Sequence, residues 1–349
     1  MELKVQPKSG LQGEIKVPGD KSISHRSIMI GSLAKGKTEV KGFLTGEDCL
    51  NTARAFQKMG VRIEGLGSEE MSIQGVGLDG LKEADSVLDV GNSGTSMRLM
   101  LGILAGQEFY SVITGDESLS NRPMGRVTEP LREMGAEIYG RDNGNLAPLT
   151  VIGQDLDSLE YHSPVASAQV KSCILLAGLF SSGTTTVIEP EKSRDHTERM
   201  LEYFGAKVEV SDLKVSVEGK PNLEGRSIVV PSDISSAAFF MIAALINSDA
   251  ELILKDVGLN STRAGILEVL TKMEANYELL NERLENKEAI ADIRVCSSNL
   301  KAVTIDKEII PRLIDEVPIL AIAATQAEGE TIIKDAEELR VKETDRISA

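Results

Sequence analysis

The chain has 349 residues, 41% of them hydrophobic and 26% charged, which is enough apolar material for a folded protein of about two domains. A formal net charge of −16, an aromatic content of 3% and the absence of Trp argue against nucleic acid and against anionic membranes as partners. Cys49, Cys173 and Cys296 are odd in number and far apart, the pattern of reduced thiols in a cytoplasmic protein, and no Cys/His spacing suits a metal.

The opening residues, MELKVQPKSG, carry no apolar leader core. The longest apolar run, residues 237 to 246, falls well short of the ~20 residues that span a bilayer. The first predicted helix begins in VPGDKSISHRS, residues 17 to 27, where a lysine, an arginine, an imidazole and several hydroxyls precede an apolar stretch. Similar helices are expected near Ser93, Ala166, Ser235 and Asp315, with the bodies MRLMLGILAG, VKSCILLAGLF, AAFFMIAALI and VPILAIAAT. These are apolar on nearly all faces and should be buried. The first four are each followed by a more charged helix that ends in a recurring phrase: FQKMGVRIE at 56, LREMGAEIY at 131, LEYFGAKVE at 201 and LTKMEANYE at 270. The phrases recur every roughly 70 residues, and short β-rich stretches such as TEVKGFL and TTTVIEP link the helices. The fold class is therefore α/β, built from a repeated β-α-β-α-β-β unit. The final ELRVKETDRISA falls inside the second helix of a fifth unit. A sixth would complete two halves of three, so the pattern expects the second half to be incomplete by roughly eighty residues.

Each buried helix starts with more Ser, Thr, Asn or Asp than one N-cap needs: DKSISHR, GNSGTSMR, SPVASAQVKS, SDISS. Helix N-termini favour anions, and several such ends gathered together would make an anion trap. Lys21, Arg26, Arg98, Arg122, Lys171, Arg194, Lys342 and Arg346 fall at helix fronts or loops. Any one alone reads as a solvated surface charge. Together, guanidinium forks and ammonium points suit a ligand carrying phosphate and carboxylate. GVGLDG at 75 matches a dinucleotide fingerprint formally, but no helix pattern follows it, so it reads as a turn between strands.

Taken as a set, PGDKSISHRSIMIGSLAKG, LDVGNSGTSMRLMLGILAG, SLSNRPMGR, SAQVKS, DEVPILAIAAT and RVKETDRI resemble the 5-enolpyruvylshikimate-3-phosphate synthase family, closer to its bacterial class II branch than to the plant-like one. The resemblance implies the enolpyruvyl transferase fold, with residues 19–230 as a first domain of three repeats. Residues 1–18 with 231–349 would form the second, lacking its sixth repeat. It implies a transferase that moves the enolpyruvyl group of phosphoenolpyruvate to the 5-hydroxyl of shikimate 3-phosphate by addition and elimination, releasing phosphate. This is a step toward aromatic amino acids. No cofactor is implied, a cytoplasmic monomer is expected, and glyphosate is a candidate inhibitor because Gly94 keeps the phosphoenolpyruvate pocket roomy.

Residue by residue, the resemblance assigns shikimate 3-phosphate to Lys21, Ser22, Arg26, Ser167, Ala168, Gln169, Ser193, Asp315 and Lys342. It assigns phosphoenolpyruvate to Lys21, Gly94, Arg122, Gln169 and Arg346. Lys21, Asp315 and Glu343 would be catalytic, Asp315 taking the 5-hydroxyl proton and Glu343 assisting proton transfer. Outside the resemblance, Asp315 reads as a helix cap and Glu343 as a salt-bridged surface acid. Two cationic ligands of phosphoenolpyruvate usual in the family's last unit have no counterpart in these residues, so binding of shikimate 3-phosphate is expected to survive better than turnover. The alternatives are a non-catalytic anion-binding remnant and the enolpyruvyl transferase of UDP-N-acetylglucosamine. The latter carries a Lys-Asn pair where Lys21-Ser22 stands.

Overall fold

The computed structural model describes Lys4, Gln6 and residues 10–341 and 344–349. Its chain divides into two compact units, Lys21–Val230 and the pair of segments Met1–Asp20 with Pro231–Ala349. No helix among the described residues is long and apolar enough to cross a membrane.

One four-stranded module recurs. In the Lys21–Val230 unit, Leu88–Asp89 runs parallel to Tyr110–Thr114, which pairs antiparallel with Leu146–Ile152, itself antiparallel to Glu137–Gly140. Glu160–His162, Thr184–Ile188, Lys214–Glu218 and Val208–Ser211 repeat that order and those directions. The first module, Lys35–Lys41, Glu70–Val76 and Arg62–Glu64, takes its parallel edge strand from the far end of the unit, Ser227–Val229. A repeat count along the sequence cannot show this loan, because strand pairing is set by packing and not by periodicity. GVGLDG ends the Glu70–Val76 strand, and a turn with Gly77 at φ 83° follows, with no helix.

The charged helices Glu47–Lys58, Gly125–Glu133, His196–Phe204 and Gly265–Lys272 all end in the same way. Gly60, Gly135, Gly205 and Glu274 adopt positive φ (88°, 97°, 107° and 59°), and each N–H donates to a carbonyl three residues back. The next residue (Val61, Ala136, Ala206 or Ala275) donates to the carbonyl five residues back, at 2.9–3.0 Å. This is the Schellman termination, whose left-handed residue is normally glycine. It explains why the phrase recurs, and why LTKMEANYE is its weakest copy. Glu274 is exposed and carries a Cβ in that conformation. Glu274→Gly should therefore raise the unfolding free energy by about 0.5–1 kcal/mol, read by urea denaturation; a fall would show that the Glu274 side chain contributes more than its backbone costs.

Within the Lys21–Val230 unit the apolar helices are enclosed as expected. Residues 23 to 33 of Lys21–Leu33 and 170 to 178 of Ala168–Gly178 are all buried, as is Gly94–Ala105 apart from Thr95 and Arg98. Gly102 lies against the Cys173 carbonyl so closely that any Cβ would collide, which fixes the crossing of the last two helices. Cys49, Cys173 and Cys296 are free thiols, and burial pushes Cys173 up to about 12.

In the other unit, Gln12–Ile15 runs parallel to Glu251–Gly258, followed by Glu288–Cys296 and Tyr277–Glu285, both antiparallel. Thr304–Ile305 and Ile332–Ile333 form a parallel pair. Burial on all sides does not hold here. Phe239 and Phe240 on Ile234–Ile246 and Ile322 on Val317–Ala324 are 57%, 44% and 48% exposed. These helices pack on each other, and among the described residues no third apolar helix covers their remaining faces.

The two V-P-x-D segments meet in this unit. Gly19 and Ser232 form an antiparallel bridge, the Asp20 N–H donates to the Pro231 carbonyl (2.8 Å), and the Asp233 N–H donates to the Pro18 carbonyl (2.9 Å). Buried Arg263 pairs with Asp20 at 3.0 Å and Asp233 at 3.2 Å, and also donates to the Ser235 hydroxyl at 2.5 Å. Burial works against its charge, but Asp233, Asp20, Glu316 and Asp315 outweigh it and raise its pKa.

Candidate active site

The polar helix fronts of the Lys21–Val230 unit are tied to one another by side chains. Arg26, 4% exposed, sends Nε to the Thr197 hydroxyl (2.6 Å), one terminal nitrogen to Ser172 Oγ (2.7 Å) and the other to the Ser22 carbonyl (3.0 Å). One guanidinium thereby joins the helices Lys21–Leu33, Ala168–Gly178 and His196–Phe204. Lys21 opens its helix with a half-exposed side chain whose ammonium pairs with Asp48. Ser22 beside it is half-buried.

Behind these groups runs a buried polar chain. His25 Nδ1 shares a hydrogen bond with Thr52 Oγ1 (2.8 Å), Thr52 Oγ1 another with Ser96 Oγ (2.6 Å), and Ser96 Oγ donates to the N-cap hydroxyl of Ser93 (2.6 Å). Burial, then the charges of Lys21 and Arg26, push His25 down to about 3. The ring is therefore neutral in the folded protein and cannot serve as a cation at physiological pH. Because its folded pKa lies below the ordinary 6.5, its contribution to stability is present above pH 6.5 and is lost as pH falls from 6.5 toward about 3. The wild type should lose up to about 1.4 kcal/mol per pH unit more than His25→Gln across that window, in urea melts. Parallel curves for the two proteins would contradict the buried neutral ring.

A second cluster forms at the front of Gly94–Ala105. Arg98 donates to Gln169 Oε1 (2.7 Å) and to the Pro123 carbonyl (3.3 Å), while Gln169 Nε2 donates to Thr95 Oγ1 (3.0 Å). Arg122 donates to Asn92 Oδ1 (2.7 Å) and Ser118 Oγ (3.3 Å). A Cβ on Gly94 would stand 3.0 Å from the Arg98 guanidinium and 3.5 Å from that of Arg122. Two guanidiniums thus flank one bare backbone position. Burial, then Arg122 and Arg126, pull Arg98 down to about 10, so it stays charged at neutral pH beside its like-charged neighbours. An anion at Gly94 would relieve that crowding.

Ser167 caps Ala168–Gly178, its hydroxyl accepting from the Val170 N–H (3.4 Å), and Ala168 and Gln169 are half-buried behind it. Ser193, 9% exposed, precedes His196–Phe204, and its hydroxyl has no hydrogen-bond partner among the described residues. Lys171 is not the solvated cation that its type suggests. It is 2% exposed and held by Glu189 at 2.7 Å and Glu198 at 2.8 Å.

In the other unit, Asp315 precedes Val317–Ala324 and pairs with Arg346 at 3.3 Å, both half-buried. The cap position itself is Glu316, which accepts from Ser235. Lys342 and Glu343 lie outside the described residues. The structure thus gathers Arg26 with the fronts of three helices, Gly94 with Arg122 and Gln169, and Asp315 with Arg346.

The sequence places Arg98 among the helix-front cations without tying it to either substrate, and it does not single out Asn92. The available signal was GNSGTSMR, in which an arginine one turn beyond a helix-opening glycine returns to that glycine. A separate surface concavity lined by Arg54, Lys58, Lys82, Glu83 and Asp85 mixes both signs of charge and contains none of the helix-front residues.

The profile of the family described as EPSP synthase (3-phosphoshikimate 1-carboxyvinyltransferase) matches residues 5–349. A 3-phosphoshikimate 1-carboxyvinyltransferase from Desulforudis audaxviator is 58% identical over 349 residues, covering 100% of this chain and 81% of the relative. One from Geobacillus kaustophilus is 58% identical over 339 residues, covering 97% and 79%. Among solved structures, an EPSP synthase from Acinetobacter baumannii superposes with a TM-score of 0.91 at 52% identity, over 98% of this chain and 77% of that one. An enolpyruvyl transferase from Streptomyces tendae, at 16% identity and a TM-score of 0.73 over 94% and 76%, shares the fold.

Proposed function

This chain belongs to the EPSP synthase family, and from that premise we propose that it transfers the enolpyruvyl group of phosphoenolpyruvate to the 5-hydroxyl of shikimate 3-phosphate. The observation that carries the reading is the pair of guanidiniums, Arg98 and Arg122, flanking bare Gly94 next to Gln169. That arrangement suits a small dianion, and the hydroxyl-rich fronts tied by Arg26 suit a phosphorylated polyol.

The chemistry assigns roles by type. The 5-hydroxyl attacks C2 of the enol while its proton passes to a carboxylate, for which Asp315 is the candidate. A proton is delivered to C3, giving a tetrahedral carbon that bears both ether and phosphate. Loss of the C3 proton and departure of phosphate regenerate the double bond, with Glu343 and Lys21 as candidates for proton transfer. Fixed cations stabilise the phosphate and carboxylate throughout, since their positions cost nothing at the moment of reaction. On the phosphoenolpyruvate side these are Lys21, Arg122 and Arg346, with Arg98 added by the geometry above. Lys21, Ser22, Arg26, Ser167, Ala168, Gln169, Ser193, Asp315 and Lys342 are the candidates for holding shikimate 3-phosphate. The reading places residues 19–230 in one domain and 1–18 with 231–349 in the other. It includes a cytoplasmic monomer and sensitivity to glyphosate, whose phosphonate and carboxylate would compete at Gly94.

The test is release of inorganic phosphate from phosphoenolpyruvate. Release that requires shikimate 3-phosphate supports the reading. Release with UDP-N-acetylglucosamine instead, or binding of neither shikimate 3-phosphate nor phosphoenolpyruvate, overturns it.

A further inference from the structure

A carboxylate is an odd neighbour for a phosphate site, yet two are buried beside Ser167 and Ser193. Glu189 follows the Thr184–Ile188 strand and is 4% exposed. Its Oε1 accepts from the Ser167 N–H (3.3 Å) and its Oε2 from the Ser193 N–H (3.4 Å). The two serines precede different helices, and this one side chain holds both backbones. Lys171 reaches Oε2 at 2.7 Å, Glu198 Oε1 at 2.8 Å and the Ser193 carbonyl at 3.5 Å. Burial opposes the Lys171 charge, but Glu198 and Glu189 outweigh it and hold it charged; burial pushes Glu198 up in spite of Lys171. Lys171 stands between the two carboxyl groups and offsets their charge, and Glu189 is the one of the two that reaches both serine backbones. The Ser193 hydroxyl, buried and without a partner among the described residues, is what this frame presents. An unmet buried hydroxyl is unfavourable, and a ligand oxygen would satisfy it.

We propose that Glu189, neutralised by Lys171, is a positioning residue that sets the Ser167 and Ser193 hydroxyls for the 3-phosphate of the acceptor substrate. The proposal rests on the function proposed above. Lys171 removes a negative charge that would otherwise repel the phosphate. Glu189 fixes a spacing that neither helix could fix alone. Neither side chain touches the substrate, so the effect falls on the phosphate and spares the polyol ring.

Equilibrium binding of shikimate 3-phosphate and of unphosphorylated shikimate tests this on the 349-residue protein. Lys171→Met should weaken shikimate 3-phosphate about a hundredfold and Glu189→Gln about tenfold, with shikimate changed by less than about twofold. The double variant, lacking both charges, should bind shikimate 3-phosphate more tightly than Lys171→Met alone. Where a single variant fails to melt cooperatively, the double variant and Glu198→Gln carry the comparison, and Glu198→Gln should leave the ratio of the two affinities unchanged. Equal losses for both ligands, or an unchanged ratio in Lys171→Met and the double variant, would overturn the proposal and leave the function standing. A wild type that binds neither ligand overturns both.

Discussion

Lys21→Ala should lower turnover by about 10²–10³-fold while changing the unfolding free energy by less than about 1 kcal/mol. The Lys21 side chain is 48% exposed and its partner Asp48 is 27% exposed, so the pair adds little to stability. Its ammonium stands at the first position of a helix whose next eleven described residues after Ser22 are all buried, so the scaffold beneath it does not depend on it. The expected result is a protein with wild-type urea midpoint and nearly no phosphate release. A wild-type rate would remove Lys21 from the mechanism.

Arg26→Met should behave differently, with shikimate 3-phosphate affinity and stability falling together. Arg26 is buried, and its loss removes a charged donor from the Ser172 and Thr197 hydroxyls, which keep only their mutual 2.6 Å hydrogen bond, and from the Ser22 carbonyl. Losing these charge-assisted bonds should cost about 3 kcal/mol of stability and at least about tenfold in ligand affinity. Urea unfolding and calorimetry read the two effects separately. If affinity drops while the midpoint stays, Arg26 is a ligand that the helices do not need. If the midpoint drops while affinity stays, its role is to join the three helices only.

The contrast between these residues marks what the sequence can carry. The buried helices of the Lys21–Val230 unit were legible because apolar residues on every face leave no solvent side. The charged helices were legible because their glycine terminators repeat. What escaped were relations that depend on the third dimension. Arg26 and Lys171 are the same kind of residue in sequence, a cation near a helix front, yet one ties three helices together and the other is sealed by two carboxylates. Only packing separates them, since Glu189 and Glu198 are 18 and 27 residues from Lys171 along the chain. The loan of Ser227–Val229 to the first sheet and the clamp of Arg263 on Asp20 and Asp233 escaped for the same reason. Exposure of Phe239, Phe240 and Ile322 escaped because an all-apolar helix announces a wish for cover and not its supply.

The most direct test of the account is a crystal structure of the chain with shikimate 3-phosphate bound. The account predicts the 3-phosphate within about 3 Å of the Ser167 and Ser193 hydroxyls and within reach of Arg26 in the Lys21–Val230 unit. Density for the ligand elsewhere, such as the mixed-charge concavity at Arg54, Lys58 and Lys82, would contradict it.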